Sequence, residues 1–273
     1  MIVYDSFIMD RSRLTITLQP ELLHQIDRTV DGARVRNRSH AIEMLLGKAL
    51  SVDMVPALIL AGGKGIKNGH GEMPKVLIAV KGEPVLNHTL HALNGQGFHQ
   101  VIISLGNGGE RIRELLNGTA LALALQFTTQ PRDLRGTAPA VRAALPMLGR
   151  QAFIVQYGDV YADIDYNELL EFHRAHRAFA TVALTSVEHA SMWGVATMQG
   201  SRIVDFTEKP KLNAGKLSHL VNAGIYVLEP QATDLIGEGM GNLELTLFPR
   251  LAKEGRLYGY PFEGTWKDVG ASG

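Results

Sequence analysis

The stretch LAGGKGIKNGHGEMPKVL, residues 60–77, decides how the rest of this sequence is interpreted. It follows a short apolar run, ALIL, at residues 57–60, and it ends on Pro74-Lys75. Glycine loses much backbone entropy on folding, so its repetition indicates a sharp turn or a backbone that something approaches closely. Free backbone N–H groups in such a loop form a concavity that binds anions. The candidates for that role are Gly62, Gly63 and Gly65, with Lys64, Lys67 and Lys75 supplying positive charge.

The same loop has a second interpretation, as a solvated surface turn that carries lysines. Its spacing matches neither the Walker pattern, which needs Gly-Lys-Ser/Thr, nor the dinucleotide fingerprint. The sequence around the loop therefore has to decide between a phosphate-binding loop and an ordinary turn.

Length and composition describe a globular chain. The 273 residues are 45% hydrophobic and 20% charged, which is typical of a folded protein. The absence of cysteine excludes disulfides, a thiolate zinc site and a cysteine nucleophile. Apolar runs are too short to span a bilayer, and the first residues lack the features of a signal peptide. We therefore expect a cytoplasmic protein with no membrane partner, and its formal net charge of zero favours no particular ligand.

Short β-rich runs alternate with amphipathic segments from about residue 57 onward. Strands are predicted at residues 57–60, 101–105, 153–157, 181–186 and 223–228, and helices at 84–97, 110–118, 137–148 and 166–177. This alternation predicts an α/β fold, with a Rossmann-like, mixed but mainly parallel sheet and helices on both faces. Ligands of such sheets bind at the carboxyl ends of the strands, where the glycine-rich loop begins.

Several polar residues lie next to predicted strands. Asp159 follows the strand FIVQY, and Asp268 lies in WKDVG near the end of the sequence. Magnesium takes one or two protein carboxylates and completes its shell with water and phosphate oxygens. Glu208 and Lys209 follow another strand, and Asn222 precedes one. Each residue alone fits an ordinary cap or turn, whereas five such features in order favour a ligand site.

Together, residues 56–270 resemble the sugar-phosphate nucleotidylyltransferases, Rossmann-like enzymes that make nucleotide sugars. The family's loop from Leu-Ala-Gly-Gly-x-Gly to Pro-Lys is matched by residues 60–65 and 74–75. Its Gln…Gly-Thr-Ala segment, which contacts the nucleobase, is matched in QPRDLRGTAPAV. Its Gly-Asp and Trp-x-Asp-x-Gly metal motifs fall on Asp159 and Asp268, and MWGVA, EKP and NAG correspond to motifs on the sugar-phosphate side.

The resemblance implies a role for each matched residue. The implied nucleotide-binding residues are Leu60, Ala61, Gly62, Gly63, Lys64, Gly65, Gln130, Gly136 and Thr137, and the implied sugar-phosphate residues are Gly194, Glu208, Lys209 and Asn222. Asp159 and Asp268 would hold Mg²⁺, with Lys67, Lys75 and Lys209 as catalytic cations. The implied reaction transfers a nucleotidyl group from an NTP to a sugar 1-phosphate and releases pyrophosphate. Such catalysis is mainly positioning and charge neutralisation.

Two departures from the family's pattern leave alternatives open. The family reads Gly-x-Gly-Thr-Arg, whereas this chain has Ile66 and Lys67, and lysine lacks the planar fork of arginine. Either Lys67 replaces the arginine with lower efficiency, or Lys64 assists, or the enzyme is impaired. The sequence also ends at Gly273, where the family continues into a helix, which is consistent with a shortened wall of the site.

The first fifty residues follow a different pattern, so we expect one domain over residues 1–52 and a nucleotidyltransferase domain over 53–273. RLTITL (13–18) alternates polar and apolar residues, and two amphipathic helices are predicted after it. One strand and two helices cannot bury an adequate core alone, which predicts a homodimer. The segment resembles the ribbon-helix-helix fold of small transcriptional repressors, whose paired strands enter the major groove of double-stranded DNA.

By that resemblance, Arg13, Thr15 and Thr17 would face bases. The start of the second helix at Arg38-Ser39, with Ser39 as N-cap, would hold a phosphate through backbone N–H groups. A dimerisation module without a DNA role is the alternative. Residues 1–50 carry 7 Lys and Arg against 6 Asp and Glu, a net of +1 that is weak for a DNA-binding domain. Two functions are thus expected to compete: an enzyme, or a DNA-binding regulator whose second domain senses a nucleotide or sugar phosphate.

Overall fold

The computed structural model of the chain describes residues 15–30, 37–39, 41–42, 45, 55–68, 71–119, 121–130, 136–211 and 218–270. The chain divides into two compact units, the N-terminal unit (Met1–Asp53) and the second unit (Met54–Gly273). Among the described residues, no helix has the length and apolarity that crossing a bilayer requires.

The N-terminal unit contains helix α1, Pro20–Thr29, with proline at its start, where a missing N–H is tolerated. Ile26 and Ala41 are buried, and Leu18, Val30, Ile42 and Leu45 pack against them. Residues 15–18, the described part of the predicted strand, are neither strand nor helix in the single chain, and their pairing with a second copy stays a prediction. A ribbon strand has no hydrogen-bonding partner within a single copy of the chain.

A second helical segment in this unit begins one residue before the predicted cap. Residues 38, 39, 41, 42 and 45 are helical, and the Ala41 N–H donates to the Asn37 carbonyl at 2.9 Å. Ser39 therefore lies inside the helix and is not its N-cap. Asn37, two residues before Ser39, is an equally good cap residue, and the sequence pattern did not distinguish the two.

The second unit alternates strands and helices along its whole length. Its helices are α2 (Val85–Gly95), α3 (Gly109–Leu116), α4 (Thr137–Leu148), α5 (Tyr166–Ala175), α6 (Pro230–Thr233) and α7 (Leu247–Lys253). Its strands are β1 (Ala57–Ala61), β2 (Ile66–Asn68), β3 (Gly71–Met73), β4 (Ala79–Val80), β5 (Glu83–Pro84), β6 (Gln100–Leu105), β7 (Ala124–Thr129), β8 (Phe153–Tyr157), β9 (Val160–Ala162), β10 (Ala180–Ser186), β11 (Gly194–Gln199), β12 (Arg202–Glu208), β13 (Leu220–Leu228), β14 (Leu257–Pro261) and β15 (Trp266–Asp268). All five predicted strands and all four predicted helices of this unit are present, with ends that differ by at most three residues.

Nine strands form one mixed sheet in the order β10-β14-β12-β11-β13-β8-β1-β6-β7. The half containing β8, β1, β6 and β7 is parallel, as predicted. The other half is largely antiparallel, because β11 and β12 form a hairpin and β13 runs against β8 and β10. The expectation of a mainly parallel sheet is therefore wrong, since short connections such as the one after β11 allow antiparallel pairing.

Helices cover both faces of this sheet. In β1, Ala57, Ile59 and Ala61 pack into one core with residues of α2, α3 and α5. Leu58 points the other way, into a second core with residues of α4 and α7. Alternate residues of one strand thus serve two cores, and the prediction of helices on both faces is confirmed.

Candidate active site

The sheet topology brings distant parts of the chain to the carboxyl end of the parallel strands. Strands β1 and β8 are parallel neighbours, so the glycine-rich loop after β1 and the Gly158-Asp159 pair after β8 leave the sheet together. Strand β13 is antiparallel to β8, so Asn222, near the start of β13, lies at the same end of the sheet. Asn222 thereby joins the residues that follow β1 and β8.

Two adjoining cavities open at this end of the sheet, and we name them the nucleotide cavity and the sugar cavity after the ligands that the sequence predicts for their lining residues. The nucleotide cavity, of about 230 Å³, is lined by Leu60, Ala61, Gly62, Gly63, Lys75, Val76, Gln130, Gly136, Thr137, Ala140, Tyr157, Asp159 and Asn242. The sugar cavity, of about 290 Å³, is lined by Lys75, Tyr157, Asp159, Val160, Met192, Trp193, Gly194, Glu208, Lys209, Asn222, Ala223, Gly224, Glu244, Trp266, Asp268 and Gly270. Lys75, Tyr157 and Asp159 belong to both cavities, so the two sets of predicted residues meet at these three side chains.

The glycine-rich loop continues into a hairpin of β2 and β3. The Gly65 N–H, which the sequence assigns to an anion concavity, donates at 2.8 Å to the Glu72 carboxylate of this hairpin. Lys64 lines a wider opening next to Gln130 and Gly136. The Lys67 backbone pairs with Glu72 in the hairpin, and the Lys67 side chain lies outside the described part of the structure.

The nucleobase side is built on the start of helix α4. The Gln130 side-chain amide donates to the Gly136 carbonyl at 3.0 Å and so ties the end of β7 to the helix. Gly136 has φ of +128°, and a Cβ there would collide with the Gly241 carbonyl oxygen. Only glycine readily adopts this positive φ and has no side chain to collide with the Gly241 carbonyl. Thr137 then lies in the first turn of α4 and lines the nucleotide cavity.

The two predicted metal ligands lie together where the cavities meet. The Lys75 ammonium is 3.5 Å from the Asp159 carboxylate. Burial and the neighbouring Asp268 carboxylate raise the pKa of Asp159, and Lys75 opposes this only in part. Asp268 is held by the Gly270 N–H at 2.8 Å and by the Trp193 indole N–H at 3.0 Å. Two carboxylates whose charges repel each other beside a cavity form a donor set that suits a hard cation.

This pair of carboxylates differs from an all-protein metal cage. In the part of the chain that the structure describes, no group of three or more His, Cys, Asp or Glu side chains comes together to hold a metal ion. Magnesium needs only one or two protein carboxylates when phosphate and water complete its shell. The residues present therefore fit Mg²⁺ that arrives with a phosphate.

The sugar side has an unpartnered acceptor and a strained backbone. One carboxylate oxygen of Glu208 is buried and has no hydrogen-bond partner, and burial raises the pKa of this group. Lys209 has φ of +46°, in the left-handed region, and its N–H donates to the Trp193 carbonyl at 3.1 Å. Unpaired buried groups and left-handed non-glycine residues cost free energy, and both are frequent at ligand sites.

The side chains of the site that were not identified from the sequence include Tyr157, Glu244, Trp193 and Trp266. Glu244 is buried between the cavities and accepts from the hydroxyls of Thr137, Tyr157 and Tyr226. Trp193 and Trp266 contact each other edge to face at 5.4 Å, and Trp193 holds Asp268. The only signal for Glu244 was an acidic residue between two leucines, in a segment remote from every motif.

The predicted DNA-binding residues belong to the N-terminal unit. Thr15 and Thr17 are exposed there, and Arg13 lies outside the described residues. The Arg38 guanidinium makes two hydrogen bonds to the Asp27 carboxylate, at 2.6 and 2.8 Å. The predicted phosphate contact is through backbone N–H groups at the start of this helix, so this side-chain pairing leaves it a prediction.

Comparisons with known proteins find similarity to the second unit. Residues 56–272 match the family model described as nucleotidyl transferase. Mannose-1-phosphate guanylyltransferase 1 of Arabidopsis thaliana is 32% identical over 222 residues, 78% of this chain and 61% of that protein. The mannose-1-phosphate guanylyltransferase catalytic subunit beta of Danio rerio is 30% identical over 221 residues, with the same two coverages. This chain therefore spans about 61% of the length of these curated relatives.

A solved structure shares the fold. A Bacillus anthracis protein described as a glucose-1-phosphate thymidylyltransferase, in complex with sucrose, is 25% identical with a TM-score of 0.70. The similarity covers 80% of this chain and 91% of that one.

Proposed function

This chain belongs to the nucleotidyl transferase family, and we propose that it transfers a nucleotidyl group from a nucleoside triphosphate to a sugar 1-phosphate. The supporting observation is the pair of cavities that share Lys75, Tyr157 and Asp159. One cavity is lined by seven of the nine residues matched to nucleotide binding, all except Lys64 and Gly65, and the other by all four matched to the sugar-phosphate side. Two substrates bound there would meet at the shared cationic and anionic side chains.

The chemistry needs an attacking phosphate, a triphosphate and charge neutralisation. An oxygen of the sugar 1-phosphate attacks the α-phosphorus, the bond to the β-phosphate oxygen breaks, and pyrophosphate leaves. Lys75 stands where the two cavities meet and would neutralise the phosphates, while Lys209 in the sugar cavity would hold the incoming phosphate. No side chain has to take up a proton, so positioning and electrostatics supply the catalysis.

Asp159 and Asp268 would hold Mg²⁺. When bound, the ion would neutralise phosphate charge and help to align the reacting groups. Burial and, after it, repulsion from the Asp268 carboxylate raise the pKa of Asp159. A cation held by both carboxylates would relieve that repulsion, which supports this assignment.

The relatives suggest which substrates to try first. We propose GTP and mannose 1-phosphate, since the matched Arabidopsis and Danio proteins are mannose-1-phosphate guanylyltransferases. The buried, unpartnered oxygen of Glu208 favours a neutral sugar, because a hydroxyl would satisfy it and a second carboxylate would repel it.

The test is pyrophosphate release from each of the four common NTPs, paired with mannose, glucose, galactose and N-acetylglucosamine 1-phosphates. We expect turnover with one pair well above the others, dependence on Mg²⁺ and loss with EDTA. A parallel thermal-shift screen detects ligands that bind without reacting. Stabilisation by ligands with no turnover under any condition would support the impaired-enzyme alternative, in which Lys67 does not replace the family's arginine.

For the N-terminal unit we propose homodimerisation, with DNA binding as a second candidate. Ile16 and Leu22 are 43% and 48% exposed, and a second copy pairing along residues 13–18 would cover the first of them. Exposed Thr15 and Thr17 flank Ile16 and would face the groove. The Arg38 guanidinium is paired with Asp27, so a phosphate at the start of that helix would be held by backbone N–H groups. Sedimentation tests for the dimer. A mobility-shift titration with DNA from the promoter region of the protein's own gene tests for DNA binding.

A further inference from the structure

Glu244 is a buried carboxylate to which no role has been assigned in the proposed reaction. Its side chain lies at the wall between the two cavities and is 5% exposed. One oxygen accepts from the Thr137 hydroxyl at 2.9 Å. The other accepts from the Tyr226 hydroxyl at 3.1 Å and from the Tyr157 hydroxyl. Three hydroxyl groups converge on this one carboxyl group, so the network has a single centre.

One arm of this network reaches the nucleotide cavity. The Thr137 hydroxyl, besides donating to Glu244, accepts from the Leu243 N–H at 2.9 Å. The Thr137 N–H donates to the Asn242 side chain at 3.3 Å, and the Ala138 N–H donates to the Gly241 carbonyl at 3.1 Å. Residues 241–244 therefore hold the first turn of α4, which carries the nucleotide-cavity residues Gly136 and Thr137.

The other arm reaches the sugar cavity. The Asn222 side-chain NH₂ group donates to the Tyr226 hydroxyl at 2.7 Å, and the Asn222 side-chain oxygen Oδ1 accepts from the Gly224 N–H at 2.8 Å. Asn222 lines the sugar cavity, whereas Tyr226 is fully buried behind it. The orientation of Asn222 thus depends on the hydroxyl that Glu244 accepts.

The surroundings make this network rigid. Tyr157 and Tyr226 contact each other edge to face at 5.7 Å, and Tyr226 packs on Phe248 at 4.8 Å. Tyr157 lies two residues before Asp159, so its bond to Glu244 also fixes the end of β8. A carboxylate in such a place costs free energy that an apolar residue would avoid, unless its specific bonds are needed. A fully satisfied buried network fixes one arrangement of the groups attached to it.

We propose that Glu244 is a positioning residue that holds the nucleotide cavity and the sugar cavity in one fixed relation. The proposal rests on the function proposed above. Thr137 forms the nucleotide arm, Tyr226 and Asn222 form the sugar arm, and Tyr157 connects the centre to the shared site. One substitution at this centre should therefore weaken both ligands, although Glu244 lines only the sugar cavity.

The test measures the two ligands separately by titration calorimetry, using GTP with Mg²⁺ and mannose 1-phosphate. We expect Glu244→Gln to raise both dissociation constants, each roughly three- to tenfold, the effect of one or two lost hydrogen bonds. The control is Glu229→Gln, which removes a carboxylate that contacts buried His173 away from both cavities, and it should change neither. Weakening of mannose 1-phosphate alone, with an unchanged melting temperature, would overturn the proposal.

A pair of conservative variants keeps the test decisive if Glu244→Gln does not fold. Thr137→Val should weaken mannose 1-phosphate as well as GTP, although Thr137 does not line the sugar cavity. Tyr226→Phe should weaken GTP, although Tyr226 lines neither cavity. Effects confined to each residue's own side would contradict a shared centre. In a Thr137→Val background, Glu244→Gln should add little to the loss of GTP affinity, because both act through one bond.

The outcome is separable from that of the proposed reaction. If the wild-type protein binds both ligands without releasing pyrophosphate, the proposed reaction is wrong. The effects of the variants on the affinities for GTP and mannose 1-phosphate still decide the role of Glu244. A wild-type protein that binds neither ligand overturns both proposals.

Discussion

The two units of this chain differ in the apolar burial that the structure describes. The second unit surrounds a nine-stranded sheet with two apolar cores, so burial inside one chain holds it together. In the described part of the N-terminal unit, Ile26 and Ala41 are the buried apolar residues, while Ile16 and Leu22 stay exposed. A unit with so small a core is stabilised when another surface covers its apolar side chains.

This difference implies that chemistry and assembly can be separated by mutation. Substitutions at the cavities should change turnover and leave the oligomeric state alone. Substitutions at the apolar residues of the N-terminal unit should do the reverse.

The largest effect is expected from Asp159→Asn. An amide cannot replace a carboxylate ligand at similar affinity, and metal ligation contributes several kcal/mol to such reactions, so turnover should fall by roughly a thousandfold. Pyrophosphate release at saturating Mg²⁺ measures it. The sedimentation coefficient should not change, and undiminished turnover would remove Asp159 from the site.

Ile16→Asp should disrupt the dimer. A charge buried without a partner between two copies costs several kcal/mol, so the dissociation constant of the dimer should rise roughly a hundredfold or more. Sedimentation velocity over a concentration series measures this, and turnover per chain should stay within a few fold of wild type.

The matched control for that variant is Thr17→Asp, which places the same charge on an exposed neighbouring position. It should leave the dimer intact. Equal dissociation in both variants would show that the effect is not burial of residue 16, and a monomeric wild type would end the ribbon-helix-helix interpretation.

A smaller effect concerns the pH dependence of the second unit. Buried His173 contacts Thr181 and Glu229, and burial lowers the pKa of His173 below its ordinary 6.5. The unfolded chain therefore binds a proton that the folded chain does not, and the free energy of unfolding should fall as the pH drops below about 6.5. The slope for one proton is at most about 1.4 kcal/mol per pH unit.

Urea unfolding between pH 7.5 and 5.5 measures that slope, and His173→Gln should reduce it. A slope that is unchanged in the variant would assign the pH dependence to other groups.

The smallest effect is expected from Lys67→Arg. If position 67 does the work of the family's arginine, the planar fork should keep turnover unchanged or raise it by a few fold. Steady-state turnover and the KM for GTP measure it. A large loss would show that the hairpin of β2 and β3 uses lysine in its own way.

The fold of the second unit was predictable where local patterns were strong. The runs at 57–60 and 153–157 are short, apolar and followed by glycine, and both are strands. The antiparallel half was not predicted, because strand direction depends on how the chain returns to the sheet, as it does between β11 and β12. In the N-terminal unit, the strand at residues 13–18 would need a second chain to pair with.

The candidate site was predictable where a residue had to approach a ligand. Gly136, Asp159 and Asn222 lie in motifs that the chemistry keeps short and recognisable. Glu244 acts through other side chains, so neither its spacing nor its neighbours identify it. Lys67 and Arg13 remain predictions, since the structure does not describe their side chains.

Lys209 has a consequence for protein engineering. Its left-handed backbone costs a free energy of about 1 kcal/mol that glycine would not incur. A screen for thermostable variants would therefore favour Lys209→Gly and remove the ammonium group from the sugar cavity at the same step. Stability is thus a misleading selection criterion at this position, and libraries that aim at robust catalysts should hold residue 209 fixed.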